Sequence, residues 1–237
     1  MVPYTHLRKK METRLRARDF IDWDALWNAE IQTHPYIHCE VDLIKPEFCD
    51  LIYEELKPGF YDAYEPGVHD RDGAFPVFST GCMNESYAGD MQDALNTWDD
   101  WNEWFKQKLD VDLGLSHETW PRFGYQGANP NSNFEPHTDQ YDITDVWAKG
   151  LIYLHDSVGT KMYESELITH SDFVDPEGNT VSNPVPEPYY EASNEYKESN
   201  GVGKLFLFKC YERSFHGTDF SSLNQESKRV ILAGTFQ

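Results

Sequence analysis

His137-Thr138-Asp139 sets an imidazole and a carboxylate two residues apart. On an extended strand, side chains at that spacing share a face. The histidine nitrogen and the carboxylate oxygen then converge on one point, with Thr138 turned away. One further imidazole completes a facial site of two histidines and one carboxylate, the donor set that holds non-haem Fe(II) and leaves positions open for other ligands. His216, 77 residues after Asp139, is the candidate. It follows the apolar run Lys204-Leu205-Phe206-Leu207-Phe208 and lies in Tyr211-Glu212-Arg213-Ser214-Phe215-His216-Gly217.

Arg229 comes thirteen residues after His216, at the head of the apolar run Val230-Ile231-Leu232-Ala233-Gly234-Thr235-Phe236. An antiparallel return strand brings Arg229 back beside His216, pointing inward with Ile231 and Ala233. An arginine heading a core-facing strand needs an anionic partner, because burying an unpaired charge is costly. Its guanidinium fork matches a carboxylate bidentately, so a dicarboxylate that also chelates the metal would satisfy it. Lys228 is the alternative cation. Two other histidine-x-acid triplets compete with His137/Asp139. His170-Ser171-Asp172 lies inside a long acidic insert, and His38-Cys39-Glu40 lies in the N-terminal half. Neither has the same flanking pattern, and each match alone is only a hypothesis. The remaining histidines (His6, His34, His69, His117 and His155) read as surface or structural residues.

The elements that must hold these residues differ between the two halves. Residues 45–57 carry Phe48, Leu51, Ile52 and Leu56 at helical spacing, opened by Lys45-Pro46 and stopped by Pro58-Gly59. Residues 90–109 place Met91, Leu95, Trp98, Trp101, Trp104, Phe105 and Leu109 on one helical face, read as core rather than a ligand shelf. Beyond residue 119 the period changes. The segments 120–127, 146–156, 203–210 and 228–236 are short, rich in aromatic and β-branched residues, and bounded by turn formers. They predict the strands of a sandwich or barrel. The insert 156–203 holds ten acidic residues and four prolines, with a turn signal at Asp175-Pro176-Glu177-Gly178-Asn179. One or two strands and a mobile lid are expected there.

Composition bounds the partners. The chain has 237 residues with a net charge of −21 and a pI near 4.6. Phosphate neutralisation carries much of nucleic-acid affinity, so nucleic acid is excluded as a substrate, and so is an anionic membrane surface. The acidic surface reads as solubilising. The first 20 residues alone are basic, and read as a solvated helix face, with a polyanion-binding arm as the alternative. The four cysteines have no C-x-x-C spacing, which fits free thiols in a reducing compartment. There is no apolar leader and no run of membrane-spanning length, so a cytoplasmic protein is expected. A single domain over 1–237 suits this size.

With these motifs set out, residues 120–237 resemble the Fe(II)/2-oxoglutarate-dependent dioxygenases, and among them the prolyl-hydroxylase-like branch. That family has an H-x-D…H motif and a downstream basic residue. The resemblance implies a mainly β fold with flanking helices around a double-stranded β-helix (jelly-roll) core. It implies that His137, Asp139 and His216 hold iron and that Arg229 binds the far carboxylate of 2-oxoglutarate. It also implies co-substrate contacts from Tyr125, upstream of the H-x-D, and Tyr153, in the strand after it. Gly159-Thr160-Lys161-Met162-Tyr163 resembles the family's Gly-Thr strand start. Residues 1–119 match only in kind, as a helical, mixed buttress. The implied activity hydroxylates an aliphatic C–H with O₂, releasing succinate and CO₂, with ascorbate as a supporting reductant. The implied substrate is a prolyl or other amino-acid residue of a peptide, or a small molecule. A non-catalytic jelly-roll binding or structural module and a cupin-type metalloenzyme without 2-oxoglutarate are the alternatives. Oligomeric state is left open.

Overall fold

The computed structural model describes residues 16–62, 77–78, 86–116, 123–128, 134–139, 146–155, 158–219 and 229–236. Two antiparallel sheets face one another. The larger has six strands in the order β1-β8-β5-β10-β3-β2: β1 (His38–Asp42), β2 (Val77–Phe78), β3 (Gly124–Ala128), β5 (Ala148–Tyr153), β8 (Lys204–Lys209) and β10 (Arg229–Phe236). The smaller has the order β4-β9-β6-β7: β4 (Phe134–His137), β6 (Thr160–Val174), β7 (Thr180–Ser199) and β9 (His216–Thr218). From β3 onward the strands switch between the sheets, the paired β6 and β7 excepted, as in a jelly roll, and the expected fold class is the one observed.

Both faces of the central strands β5, β8 and β10 are buried, so these strands read as largely apolar runs rather than strict alternations. Period two still sorts the residues. Leu151 and Tyr153 of β5, Phe206 and Phe208 of β8, and Ile231 and Ala233 of β10 point between the sheets with Met162 of β6. Their neighbours Ile152, Leu205, Leu207, Val230 and Leu232 point to the helices. Those helices are α1 (Trp23–Trp27), α2 (Pro46–Asp62), α3 (Tyr87–Leu95) and α4 (Trp98–Leu109). Among the described residues no helix is long and apolar enough to cross a membrane.

The helix predicted over 45–57 is α2, but Pro58-Gly59 does not stop it: the helix runs on to Asp62. The one predicted over 90–109 is two helices, α3 and α4. The break has its own bonding: the Trp101 indole donates to the Leu95 carbonyl at 2.8 Å, and Asn96 Oδ1 accepts from the Phe123 amide at 2.9 Å. Orphan groups at a helix end are thereby satisfied. Trp101 and Phe105 are fully buried against Phe236, with centroids 4.9 and 5.0 Å away. Met91, Leu95, Trp101, Trp104 and Phe105 of the stripe are core, as read, and Leu109 packs against them partly buried.

Two features depart from expectation. The N-terminal half contributes β1 and β2 to the large sheet, so it extends the barrel wall as well as buttressing it. The acidic insert is a long two-stranded ribbon, with β6 and β7 paired from Thr160↔Ser199 out to Val174↔Thr180. The Asp175–Asn179 turn closes it, with the Asp175 carboxylate accepting from the Asn179 amide at 2.8 Å. The described part of the insert holds no separate lid.

Gly203 joins β1, β5 and β8. Its amide donates to the Tyr153 carbonyl at 2.7 Å, and its carbonyl accepts from Leu43 and Ile44 at 3.0 and 2.9 Å. Its φ is +80°, and an added Cβ would fall 1.8 Å from the Ile44 carbonyl oxygen. Backbone cannot yield as a flexible side chain would. Gly203→Ala should therefore destabilise the fold by about 2 kcal/mol or more, read as a shifted midpoint in denaturant unfolding.

Candidate metal centre

β4 and β9 pair with His137 directly opposite His216. The two rings lie 4.5 Å apart between centroids. Asp139 is not on the strand: β4 ends at His137, and Asp139 occupies the turn that follows. The carboxylate still swings back to the imidazoles. Its Oδ2 is 3.3 Å from His216 Nε2, and its Oδ1 is 4.0 Å from His137 Nε2. One ligand atom from each residue falls within 4.8 Å of the others, the only such group of three among the described residues.

Each imidazole is oriented by its own backbone. His137 Nδ1 lies 2.8 Å from the Glu135 carbonyl, and His216 Nδ1 lies 3.1 Å from the Ser214 carbonyl. With Nδ1–H donating to those oxygens, both Nε2 atoms present lone pairs to the centre. The His216 lone pair then faces Asp139 Oδ2, a buried oxygen with no hydrogen-bond donor among the described residues. Two acceptors facing each other at that range are what a shared cation stabilises. The orphaned oxygen and the N,N,O donor set therefore fit a divalent first-row metal such as Fe(II). Lys149 holds the other carboxylate oxygen, Oδ1, at 2.9 Å.

Charge follows from this arrangement. Burial on its own would raise the Asp139 carboxyl, but the His216 ring, when its Nε2 carries a proton, and Lys149 more than offset it and hold it well below the usual carboxylate range. Burial and the neighbouring His216 ring lower His137 from its ordinary value. His216 and Asp139 have side-chain exposures of only 6% and 7%, whereas His137 retains 37%. His137 is thus the open side of the centre. It borders an open cleft of about 600 Å³, whose walls are Glu135–Thr138 and Phe215 on one side and Tyr189–Ala192 of the ribbon on the other.

Arg229 lies deeper between the sheets. It is 3% exposed, donates from Nη2 to Thr160 Oγ1 at 2.6 Å, and sits 5.6 Å from the Tyr153 ring centroid. Burial lowers its pKa, and Tyr153 and Glu198 oppose that. It points inward with Ile231, as the alternation predicted, but it does not return beside His216. β10 pairs with β3 and β5 in the large sheet, while β9 belongs to the small one. Arg229 therefore meets the small sheet from across the interior. Its partner Thr160 is two residues along β6 from Met162, which pairs with His216. Two residues of strand place Thr160 roughly 7 Å from the level of the metal centre.

Tyr153, 2% exposed, lies between the sheets beside Arg229. Tyr125 does not join it. In register, Tyr125 is opposite Leu232, and both belong to the helix-facing core. Its hydroxyl donates to the Ala88 carbonyl of α3 at 2.7 Å. The co-substrate contact expected of Tyr125 is corrected to a structural bond between sheet and helix. Lys228 lies outside the described residues. Of the competing triplets, His170 and Asp172 are exposed far out on the ribbon. His38 is buried and bonded through Nδ1 to the Tyr36 carbonyl, while Glu40 pairs with Lys197. His155 stacks on Tyr53 of α2, 4.2 Å between centroids.

Sequence reasoning missed Lys149 and the ribbon tyrosines. Lys149 shares the parity of Leu151 and Tyr153, so an inward lysine was readable from β5. The approach of Tyr189 and Tyr190 to His137 had no local signal.

No protein-family model matches the sequence, nor does any curated protein. Solved structures do. The chain is similar to a Pseudomonas putida prolyl-4-hydroxylase at 14% identity and a TM-score of 0.50, covering 93% of this chain and 98% of that one. It is also similar to a prolyl 4-hydroxylase from Phytophthora capsici at 13% identity and a TM-score of 0.51, covering 96% and 67%. At these identities the likeness is one of fold. The resemblance drawn from residues 120–237 holds at that level and extends into the N-terminal half.

Two measurements check the centre. Asp139→Ala should abolish stoichiometric binding of Fe(II) or Mn(II) while the circular dichroism spectrum stays that of the parent. Protons compete for His137 only below its lowered pKa, so metal affinity should be flat from pH 8 to 7. It should fall once pH drops below about 6.5. Mn(II) titrations followed by electron paramagnetic resonance would contradict this if affinity already declined between pH 8 and 7.

Proposed function

We propose that the protein is an Fe(II)- and 2-oxoglutarate-dependent oxygenase that hydroxylates an aliphatic C–H of a prolyl or other amino-acid residue within a polypeptide. One observation carries the reading. A two-histidine, one-carboxylate cluster and a buried arginine face a shared interior, about two strand residues apart along β6. A five-carbon dicarboxylate that chelates the metal at one end would set its other carboxylate against the guanidinium fork. The prolyl 4-hydroxylase fold of the structural neighbours agrees with it.

Each side chain then has a task. His137, His216 and Asp139 would hold the iron, and the Glu135 and Ser214 carbonyls would keep both imidazoles in the ligating tautomer. Lys149 would fix the carboxylate through its second oxygen. Arg229, Thr160 and Tyr153 would bind the far end of the co-substrate in a dry pocket. The bound metal and co-substrate supply the oxidising chemistry, taking O₂ and releasing succinate and CO₂. The protein orients the substrate carbon and excludes water.

The open cleft favours a polypeptide over a small molecule. Small-molecule sites enclose most of their ligand, whereas this one is an open cleft between His137 and the ribbon. Soluble, intracellular catalysis belongs to the same reading.

Purified protein given Fe(II), ascorbate and 2-oxoglutarate should release succinate, and Asp139→Ala should not. Arg229→Met keeps bulk and removes the charge. Its KM for 2-oxoglutarate should rise at least about tenfold, the cost of one charge-assisted hydrogen bond, with metal affinity unchanged. An unchanged KM there, with a raised one in Lys228→Ala, would transfer the contact to Lys228. Products heavier by one oxygen in a peptide library, read by mass spectrometry, would identify the substrate.

A further inference from the structure

Tyr36 lies just before β1, outside the jelly-roll region, and is fully buried. It does not belong to the helix-facing core. Its neighbours are the side chains between the two sheets, among them Tyr153, Phe208 and Ile231. Its ring is 6.1 Å from Phe208, and the Phe208 ring is 4.6 Å from His216. The aromatic chain Tyr36–Phe208–His216 therefore leads directly to the metal centre.

Among the described residues the Tyr36 hydroxyl has no hydrogen-bond partner. A buried, unmade hydrogen bond is costly, and buried tyrosine hydroxyls nearly always find a partner. A purely structural role would be served as well by phenylalanine. The hydroxyl is pushed above its usual pKa first by burial and then by Tyr153, Cys210, Tyr211 and Asp139.

We propose that Tyr36 is a co-substrate contact, its hydroxyl donating a hydrogen bond to the metal-chelating carboxylate of 2-oxoglutarate. The assignment rests on the oxygenase reading above. It places a co-substrate contact on the N-terminal segment, where Tyr125, turned to the helices, makes none. β1 is held against β8 by its full register, and the Ile37 carbonyl accepts from the Lys209 amide at 3.0 Å. The N-terminal half would then complete the pocket as well as support it.

The test is an anaerobic titration of 2-oxoglutarate into the Fe(II)-loaded full chain, followed by the visible charge-transfer band. Fe(II) affinity and Tm are measured separately. Tyr36→Phe should bind Fe(II) as the parent does, with Tm unchanged or higher, because an unsatisfied group is removed. Its Kd for 2-oxoglutarate should rise about tenfold or more, and its band maximum should shift. A parental Kd in Tyr36→Phe overturns the assignment and leaves the oxygenase reading intact. Loss of Fe(II) binding along with 2-oxoglutarate binding overturns it in favour of a structural role. Parent protein that binds Fe(II) but not 2-oxoglutarate overturns the oxygenase reading, and this assignment with it.

Discussion

Asp139 is a charge kept inside a barrel, and much of the architecture answers to that fact. A buried carboxylate is tolerated only with charged or hydrogen-bonding partners at good geometry. Here Lys149, reached from β5, holds one oxygen, and His216, reached from β9, faces the other, Oδ2. Those strands belong to different sheets, so the carboxylate has its full set only when the jelly roll is closed. The open side of the same carboxylate, Oδ2, is left for a cation shared with the imidazoles. The metal centre and the closure of the fold therefore depend on one another.

Arg229 poses the same problem on the opposite wall. Thr160 and the face of Tyr153 surround its guanidinium in a region otherwise lined by Phe206, Ile231 and Met162. Opposite charges at two depths of one apolar interior suit an anionic, metal-chelating ligand running between them. The helix layer frees the interior for this purpose. Trp101, Trp104, Phe105 and Phe236 fill the far side of the large sheet, so stability comes mainly from outside the pocket. The inner face can then carry polar groups such as Tyr36 and Tyr153.

The ribbon gives the site its outer wall. Strands of 15 and 20 residues are well beyond the usual length of about 5–6 residues. Most of their surface faces water, and their acidic residues stay solvated. Only the stretch around Tyr189–Ala192 approaches His137. The acidic insert is thus partly a solubilising surface and partly a border of the cleft.

Much of this was legible in the sequence. The spacing of His137 and Asp139 is a local property of extended backbone, and it survived the shift of Asp139 into a turn. The inward direction of Arg229 followed from the parity of Ile231 and Ala233. The apolar runs 146–156, 203–210 and 228–236 became strands because local β-propensity and burial agree there. The tertiary structure decided what depends on pairing between distant segments. Period two says that Tyr125 points opposite to its strand neighbours, but not which face Tyr125 takes; the register with Leu232 settled that. Alternation likewise could not say that β9 and β10 lie in different sheets, since a hairpin and a crossover look alike in sequence. The placement of Tyr36 beside Tyr153, and of Tyr189 beside His137, arises from contacts more than fifty residues apart along the chain. The chain alone determined which residues could bear the chemistry, because that is set by side-chain type and local period. Only the folded sheets decided which of them meet, because strand register and sheet closure are properties of the whole.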